Sequence, residues 1–462
     1  MDVMKRGLVF YTGMACIGAW CLLLAYGCST SVWVHYPMRV SRARMYLVEG
    51  RDQLAVKELD ARVRSGQDQL LHSMETGMVY YLEGDYGKCI PEWLDAEKMM
   101  ERFDYRPVVS IREVSEQIGT LAVNDYLITY QGMTYERVLV HLYLALAYLM
   151  KNDQEGARIE LKKAEQVQKK AFDKWQEKRA AQLRDAPEAK AAEDKVLEVY
   201  KTRYGMPEHY SSFSLNPLAY YLSGWLYEKE GYPDEALIDY RRLRDLGVRQ
   251  EYLGPLVSQL EKRMHSSWGS GEGQAGKEAG DLFVIHQQGL IPELEELRVP
   301  VEIKGQLVIM AIPVYAQGAP SPMHLTVTVG QERCETQELV DVYSLALESL
   351  RERIPGMVTR QVARMLVKAT ASREASRKGG TLASMVTTIY NVVSERADLR
   401  SWLTIPLSIQ VGRLRLPPGR HVVHLDLVEG AGSMQVEVDI QPGEYHILDV
   451  RTIGSRMVAH LS

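Results

Sequence analysis

Two periodicities divide the chain. Up to about residue 265 apolar positions recur at helical spacing; Ala164, Val167, Ala171 and Trp175, for instance, fall on one face of a 3.6-residue helix. Beyond that the period shortens. Met323-His324-Leu325-Thr326-Val327-Thr328-Val329 alternates polar and apolar residues, as a half-buried antiparallel strand does, while Leu282–Ile285 and Leu307–Met310 read as more deeply buried strands. Helical spacing returns in Val358, Val362, Met365 and Ala369 and in Leu382, Met385, Ile389 and Val393, predicting helices over about 337–371 and 381–396. Pro418-Gly419 and Pro442-Gly443 each open another alternating run, and Pro-Gly suits the centre of a type II turn. Between the two regimes, Ser266–Gly280 holds five Gly and three Ser in 15 residues, the composition of a flexible linker. The pattern predicts an α+β multidomain chain: an all-α region over 28–265, a linker over 266–280, and a β-sandwich-like domain with inserted helices over 281–462.

The helical region repeats itself. Gly77, Tyr80, Gly84, Cys89, Trp93 and Ala96 stand at nearly the same spacing as Gly224, Tyr227, Gly231, Ala236 and Tyr240. This pattern resembles the tetratricopeptide (TPR) repeat: small residues let two antiparallel helices approach, an aromatic fills the gap beyond, and a glycine permits the turn. Looser copies run through Tyr46, Gly50, Ala55 and Leu59 and through Ala145, Tyr148, Asn152, Ala157, Leu161 and Ala164, giving a TPR-like solenoid with repeats near 36–69, 70–103, 138–171 and 217–250. Gly50 to Gly84 is 34 residues and Gly84 to Asn152 twice that, but Asn152 to Gly231 is 79. The break falls on a stretch rich in Lys, Glu, Ala and Gln, read as a protruding helical hairpin over 158–203 with a stop and restart at Asp185-Ala186-Pro187-Glu188.

The first residues look like an address. Gly7–Gly27 carries no charged side chain and follows Lys5 and Arg6, and Leu24-Ala25-Tyr26-Gly27-Cys28 resembles a bacterial lipobox, with residues 1–27 a signal peptide and Cys28 the lipidated residue. Lacking an aspartate at Ser29, such a lipoprotein is expected at the outer membrane, on its periplasmic face; the alternative is an uncleaved inner-membrane anchor, since 21 residues can span a bilayer. In the body only Cys89 and Cys334 remain, 245 positions apart, and are expected as free thiols. A net charge of −5 and an exported body argue against nucleic acid. Within that acidic chain, residues 351–378 are net +6, and Arg360, Arg364 and Lys368 stand at i, i+4 and i+8, offering either a solvated face or a site for an anionic partner.

Tyr135-Glu136-Arg137-Val138, Asn216 through Gly224, and Ala397 through Leu403 with Pro406 are similar to segments of an uncharacterised family of bacterial TPR-containing lipoproteins, over nearly all of 40–450. The resemblance implies a TPR solenoid, a β-rich domain, and an association with cell-wall assembly. No CxxC, HExxH, GxSxG or P-loop pattern occurs, so neither metal nor cofactor is expected. His421 and His424, three apart on a strand, face opposite sides. Asp398, Arg400 and Trp402 alternate, so they either line a pocket or form a buried ion pair under an indole. The expected function is therefore a membrane-tethered scaffold that binds envelope proteins in its TPR groove, and not an enzyme. The alternative is an envelope enzyme acting on wall or glycan substrates through a pocket near Asp398.

Overall fold

A computed structural model describes residues 34–64, 66–104, 129–182, 187–204, 215–248, 250–266, 279–303, 306–315, 318, 321–365, 396–428 and 432–462. Helices precede strands, as the periodicity predicts. Among the described residues the helical part holds four antiparallel hairpins: α1 (Tyr36–Val48) with α2 (Asp52–Arg62), α3 (Gln69–Leu82) with α4 (Tyr86–Asp104), α5 (Thr134–Met150) with α6 (Gln154–Gln182), and, after α7 (Pro187–Tyr204), α8 (Leu218–Glu230) with α9 (Pro233–Asp245). Helix α10 (Gln250–Ser266) follows.

Each hairpin turns at the residue its pattern marks. Gly50, Gly84, Asn152 and Gly231 all sit in the left-handed region, with φ of 72°, 74°, 57° and 81°, where glycine, and asparagine among the others, bears the least strain. The small positions act as predicted too. A Cβ on Gly77 would lie 2.4 Å from Trp93 Nε1, and one on Gly224 2.8 Å from Tyr240. Trp93 and Tyr240 thus occupy the space that the glycines leave. Ala236 and Cys89 are fully buried beside them, whereas Tyr80 and Tyr227 stay half-buried.

The inserted stretch differs from expectation in one respect. Helix α6 runs long, 29 residues, and α7 restarts at Pro187. Instead of standing clear, α7 packs against strand β2 (Glu295–Ile303), burying Ala192, Val196 and Tyr200.

Strands β1 (Gly280–Gln288), β3 (Gln306–Val314), β4 (Leu325–Val329), β5 (Glu332–Glu335), β6 (Gln337–Asp341), β7 (Ser408–Leu416), β8 (Gly419–Leu427), β9 (Ser433–Ile440), β10 (Tyr445–Ile453) and β11 (Arg456–Leu461) join β2 in three sheets, ordered β11-β10-β1-β7-β6, β2-β3 and β5-β4-β8-β9. Strand β1 pairs in parallel with β10 and antiparallel with β7. Its side chains alternate between two cores: Leu282 and Val284 join β4, β8 and β9 in a core shared by the five- and four-stranded sheets, while Phe283 and Ile285 join the core of the helices. Burial on both faces is why this strand reads as an uninterrupted apolar run. Gly443, at φ 71°, makes the turn that Pro442-Gly443 announces before β10.

Two boundaries need correction. The helix expected from 337 begins later: Gln337–Asp341 is β6, paired with β7, and helix α11 occupies residues 342–365. Asp341 starts it by accepting the Ser344 N–H at 2.9 Å, the work of a helix N-cap. Residue 396 is not helical; the rest of the expected 381–396 helix, most of the linker, Lys368 and the whole signal with Cys28 lie outside the described residues.

Candidate functional site

The first helix of each described hairpin contacts the strands or the loops between them. Arg44 of α1 reaches Glu293 at 2.7 Å, Leu82 of α3 accepts a hydrogen bond from His460 at 3.0 Å, the Tyr143 hydroxyl of α5 donates to Gln287 at 2.9 Å, and Glu228 of α8 pairs with Arg413 at 2.9 Å. Through the middle of this inner face runs the extended segment 397–407. Two glutamates read its main chain. Glu75, fully buried, accepts the N–H groups of Leu403 at 2.8 Å and Thr404 at 3.0 Å together with the Tyr36 hydroxyl at 2.9 Å. Glu136, equally buried, accepts Trp402 N–H at 2.7 Å and Met133 N–H at 2.8 Å, so it caps its own helix while holding the segment. From the opposite side Arg451 donates to the carbonyls of Thr404 and Gly289 at 3.1 and 2.8 Å. Burial raises both carboxyl groups, Glu75 to about 7, and lowers Arg451 to about 10.

The trio Asp398, Arg400 and Trp402 belongs to this segment, with Arg400 and Trp402 buried and Asp398 partly so. Arg400 is 2% exposed; its guanidinium bonds both Asp398 oxygens at 2.8 and 2.7 Å, reaches Asp68 at 3.1 Å, and lies 5.4 Å from the centre of the Tyr130 ring. Its pKa is raised: the two carboxylates outweigh a burial that works against the charge. Trp402 stacks edge-on to Trp93 and Tyr143, with its Nε1 donating to Thr404 Oγ1 at 3.1 Å. This geometry matches the buried ion pair among the two readings of the sequence.

The cationic face on α11 is also different from expectation. Arg360 is exposed but Arg364 is 5% exposed, and Lys368 lies outside the described residues. A 3.6-residue turn makes each i+4 step advance by about 40° around the helix, so the three positions do not form one line; the second has already rotated under the helix. Beside it Gln361 turns inward, its amide donating to the Ala311 carbonyl at 2.7 Å and accepting the Ala311 N–H at 3.3 Å, which closes the edge of β3. His421 donates to or accepts nothing from His424: it contacts the Pro417 carbonyl at 2.7 Å, while His424 points outward from β8. Cys89 and Cys334 are free thiols, and burial raises the Cys334 thiol to about 11.

An open cleft of about 220 Å³ lies elsewhere, between the third and fourth hairpins, where the repeat interval lengthens. Leu161, Lys162 and Glu165 of α6 form one wall, Tyr220, Ser223 and Leu226 of α8 the other, and Asp239 of α9 closes the back. Arg242 spans it, 3.2 Å from Glu165 and 3.3 Å from Asp239, with its guanidinium 5.6 Å from the Tyr220 ring centre. Burial raises Asp239 despite a hydrogen bond from Ser223. Small-molecule sites usually enclose roughly 300–1,000 Å³; this cleft suits one large side chain with a polar tip.

The glutamates were missed in the sequence reading, although a signal exists. Glu75 and Glu136 are isolated acids in the apolar helices α3 and α5, where a carboxylate survives only if buried donors meet it. No protein-family model matches the chain, and neither a curated protein nor a solved structure matches it. Among the described residues no helix is long and apolar enough to cross a membrane.

Proposed function

We propose that this chain is a lipid-tethered scaffold of the bacterial envelope: a TPR-type helical stack on a β-sandwich-like domain, gripping a protein partner at the cleft between its third and fourth hairpins. The observation that carries this reading is the occupancy of the inner face by the chain's own residues 397–407. A TPR stack offers that face to peptides; here it is filled in cis, and the 220 Å³ cleft is a solvent-open alternative on the same stack. The cleft sets Leu161 and Leu226 in its walls beside Lys162 and Glu165, features that favour an anchoring side chain from an extended peptide. The tether rests on the lipobox-like run ending at Cys28. Export rests on the same run, and the association with cell-wall assembly on the resemblance to bacterial TPR-containing lipoproteins.

A photo-crosslinking residue at Lys162, compared with one at the exposed Val422 on β8, tests the cleft in intact envelopes. One adduct of defined mass from position 162, absent from 422 and lost when Tyr220→Ala and Leu161→Ser empty the walls, supports the reading. Identical adducts from both positions, or an adduct indifferent to the wall changes, overturns it. Cys28→Ser tests the tether separately: the protein should leave the lipid-modified fraction, and persistence there at the parent's size would refute lipidation.

A further inference from the structure

Three chelating side chains meet where the second hairpin touches the third. Glu97 comes from α4, His141 from α5 and Glu160 from α6; each is more than nine-tenths buried, and one ligand atom from each lies within 4.8 Å of the other two. His141 Nδ1 is 2.7 Å from Glu160 Oε2. The two carboxylates already share a cation, because Lys163 Nζ lies 2.6 Å from Glu97 and 2.8 Å from Glu160.

That cation is unlike the other members. The three ligands are fixed on three packed helices, whereas Lys163 keeps 36% of its side chain exposed and reaches inward from the surface on a flexible four-carbon stem. A rotation of that stem would open the carboxylates to solvent without moving a helix. One imidazole and two carboxylates are ordinary ligands for zinc and its neighbours, while calcium and magnesium prefer sets made of oxygen alone. Tetrahedral zinc, with bonds of about 2.0–2.2 Å, separates its ligands by roughly 3.4 Å, so small side-chain rotations suffice to close the present triangle.

We propose that Glu97, His141 and Glu160 form a site for a divalent transition-metal ion, zinc by its ligand set, and that the Lys163 ammonium holds the place of the ion when none is bound. Binding exchanges one cation for another: the ammonium swings to solvent, and the metal takes one nitrogen and two carboxylate oxygens, leaving a fourth position for water. The ion would staple α4, α5 and α6 together across the junction of two hairpins.

The test uses the full chain, tag-free, solubilised in detergent and stripped with a chelator. Co²⁺ serves as a spectroscopic probe and Zn²⁺ as the calorimetric one. One saturable equivalent is expected, with visible d–d bands for cobalt and a rise in the unfolding temperature. His141→Gln and Glu160→Gln should each weaken binding at least tenfold, as loss of one ligand of three demands. Lys163→Met should tighten it tenfold or more, because the competing cation is gone; a purely structural ion pair gives this variant no reason to bind metal at all. If neither the parent nor Lys163→Met binds one equivalent at 100 µM metal, or if binding is indifferent to His141→Gln, the site does not exist. Should His141→Gln fail to fold, the Lys163→Met titration alone decides.

Discussion

The two helices of each hairpin live in different surroundings. Helices α3 and α5, first in their hairpins, are covered on all sides, with 14 of the 17 residues of α5 buried. Their partners α4 and α6 bury one face and expose another. The polar chemistry divides accordingly. On the solvent face of the outward helices, acids find lysines three residues away, as in Asp95 with Lys98, or Asp85 just before α4 with Lys88, pairs that water largely screens, while Glu97 and Glu160 lie on the buried face. On the inward ones, single glutamates take main-chain N–H groups from a segment 266 to 329 residues further along. The lesson is that local pairs decorate the outer surface of the helical part, whereas a few long-range carboxylates join its inner helices to the segment that leads into β7.

Breaking an inward contact should therefore have the largest effect. Glu75→Ala leaves the Leu403 and Thr404 N–H groups and the Tyr36 hydroxyl buried without their acceptor. Each such orphan costs roughly 1–3 kcal/mol, so a loss of at least about 3 kcal/mol is expected in denaturant unfolding. A loss near the 0–1 kcal/mol of an exposed pair would erase the distinction between the two kinds of helix.

The same carboxyl group gives a pH signature. Burial raises Glu75 to about 7 in the folded state, against an ordinary value near 4.5 in the unfolded chain. Between these values the folded protein holds a proton that the unfolded one releases, so the native state binds more protons and stability falls as pH rises. This contribution is complete below about pH 4.5 and lost through about pH 7, the reverse of a salt-bridged carboxylate, and amounts to at most about 3 kcal/mol. Unfolding curves from pH 5 to 8 should show the decline, and Glu75→Gln should reduce it, leaving the part that belongs to other raised carboxyl groups, Glu136 and Asp239 among them; a slope unchanged in that variant would assign it wholly to such groups.

How much of this could be read beforehand depended on distance along the chain. The turns at Gly50, Gly84, Asn152 and Gly231 and the fit of Gly77 to Trp93 are local, and their residues announce them. Only residues 337–341 depart from the expected helix: Gln-Glu-Leu-Val-Asp-Val-Tyr-Ser-Leu over 337–345 satisfies either period, and only pairing with β7 decides that its first five residues are strand. Arg364 leaves the expected solvated face because each i+4 step turns about 40° around the helix. The roles of Glu75 and Glu136 require residues 402–404 to be brought against them, and no spacing in one sequence records that meeting.

The smallest effects sharpen the comparison within one hairpin. Gly77 and Gly87 belong to neighbouring helices, and both stand where alanine would favour helix by up to about 1 kcal/mol. At Gly77, on inward α3, a new Cβ meets Trp93 Nε1 at 2.4 Å, and the indole, fully buried and bonded to the Met74 carbonyl at 3.3 Å, has little room to retreat. Overpacking of this kind costs about 1–3 kcal/mol, so Gly77→Ala should lower stability even after the propensity gain. At Gly87, exposed on the first turn of α4, the nearest atom to a new Cβ is Asp85 Oδ1 at 3.4 Å, an ordinary contact that leaves its bond to the Lys88 N–H in place. Gly87→Ala should raise stability by about 0.5 kcal/mol. Opposite signs from the same substitution, ten positions apart, would locate the boundary between the two environments at the hairpin turn; equal signs would mean that α3 yields to the added methyl and that its close packing against Trp93 is not what holds the hairpin shut.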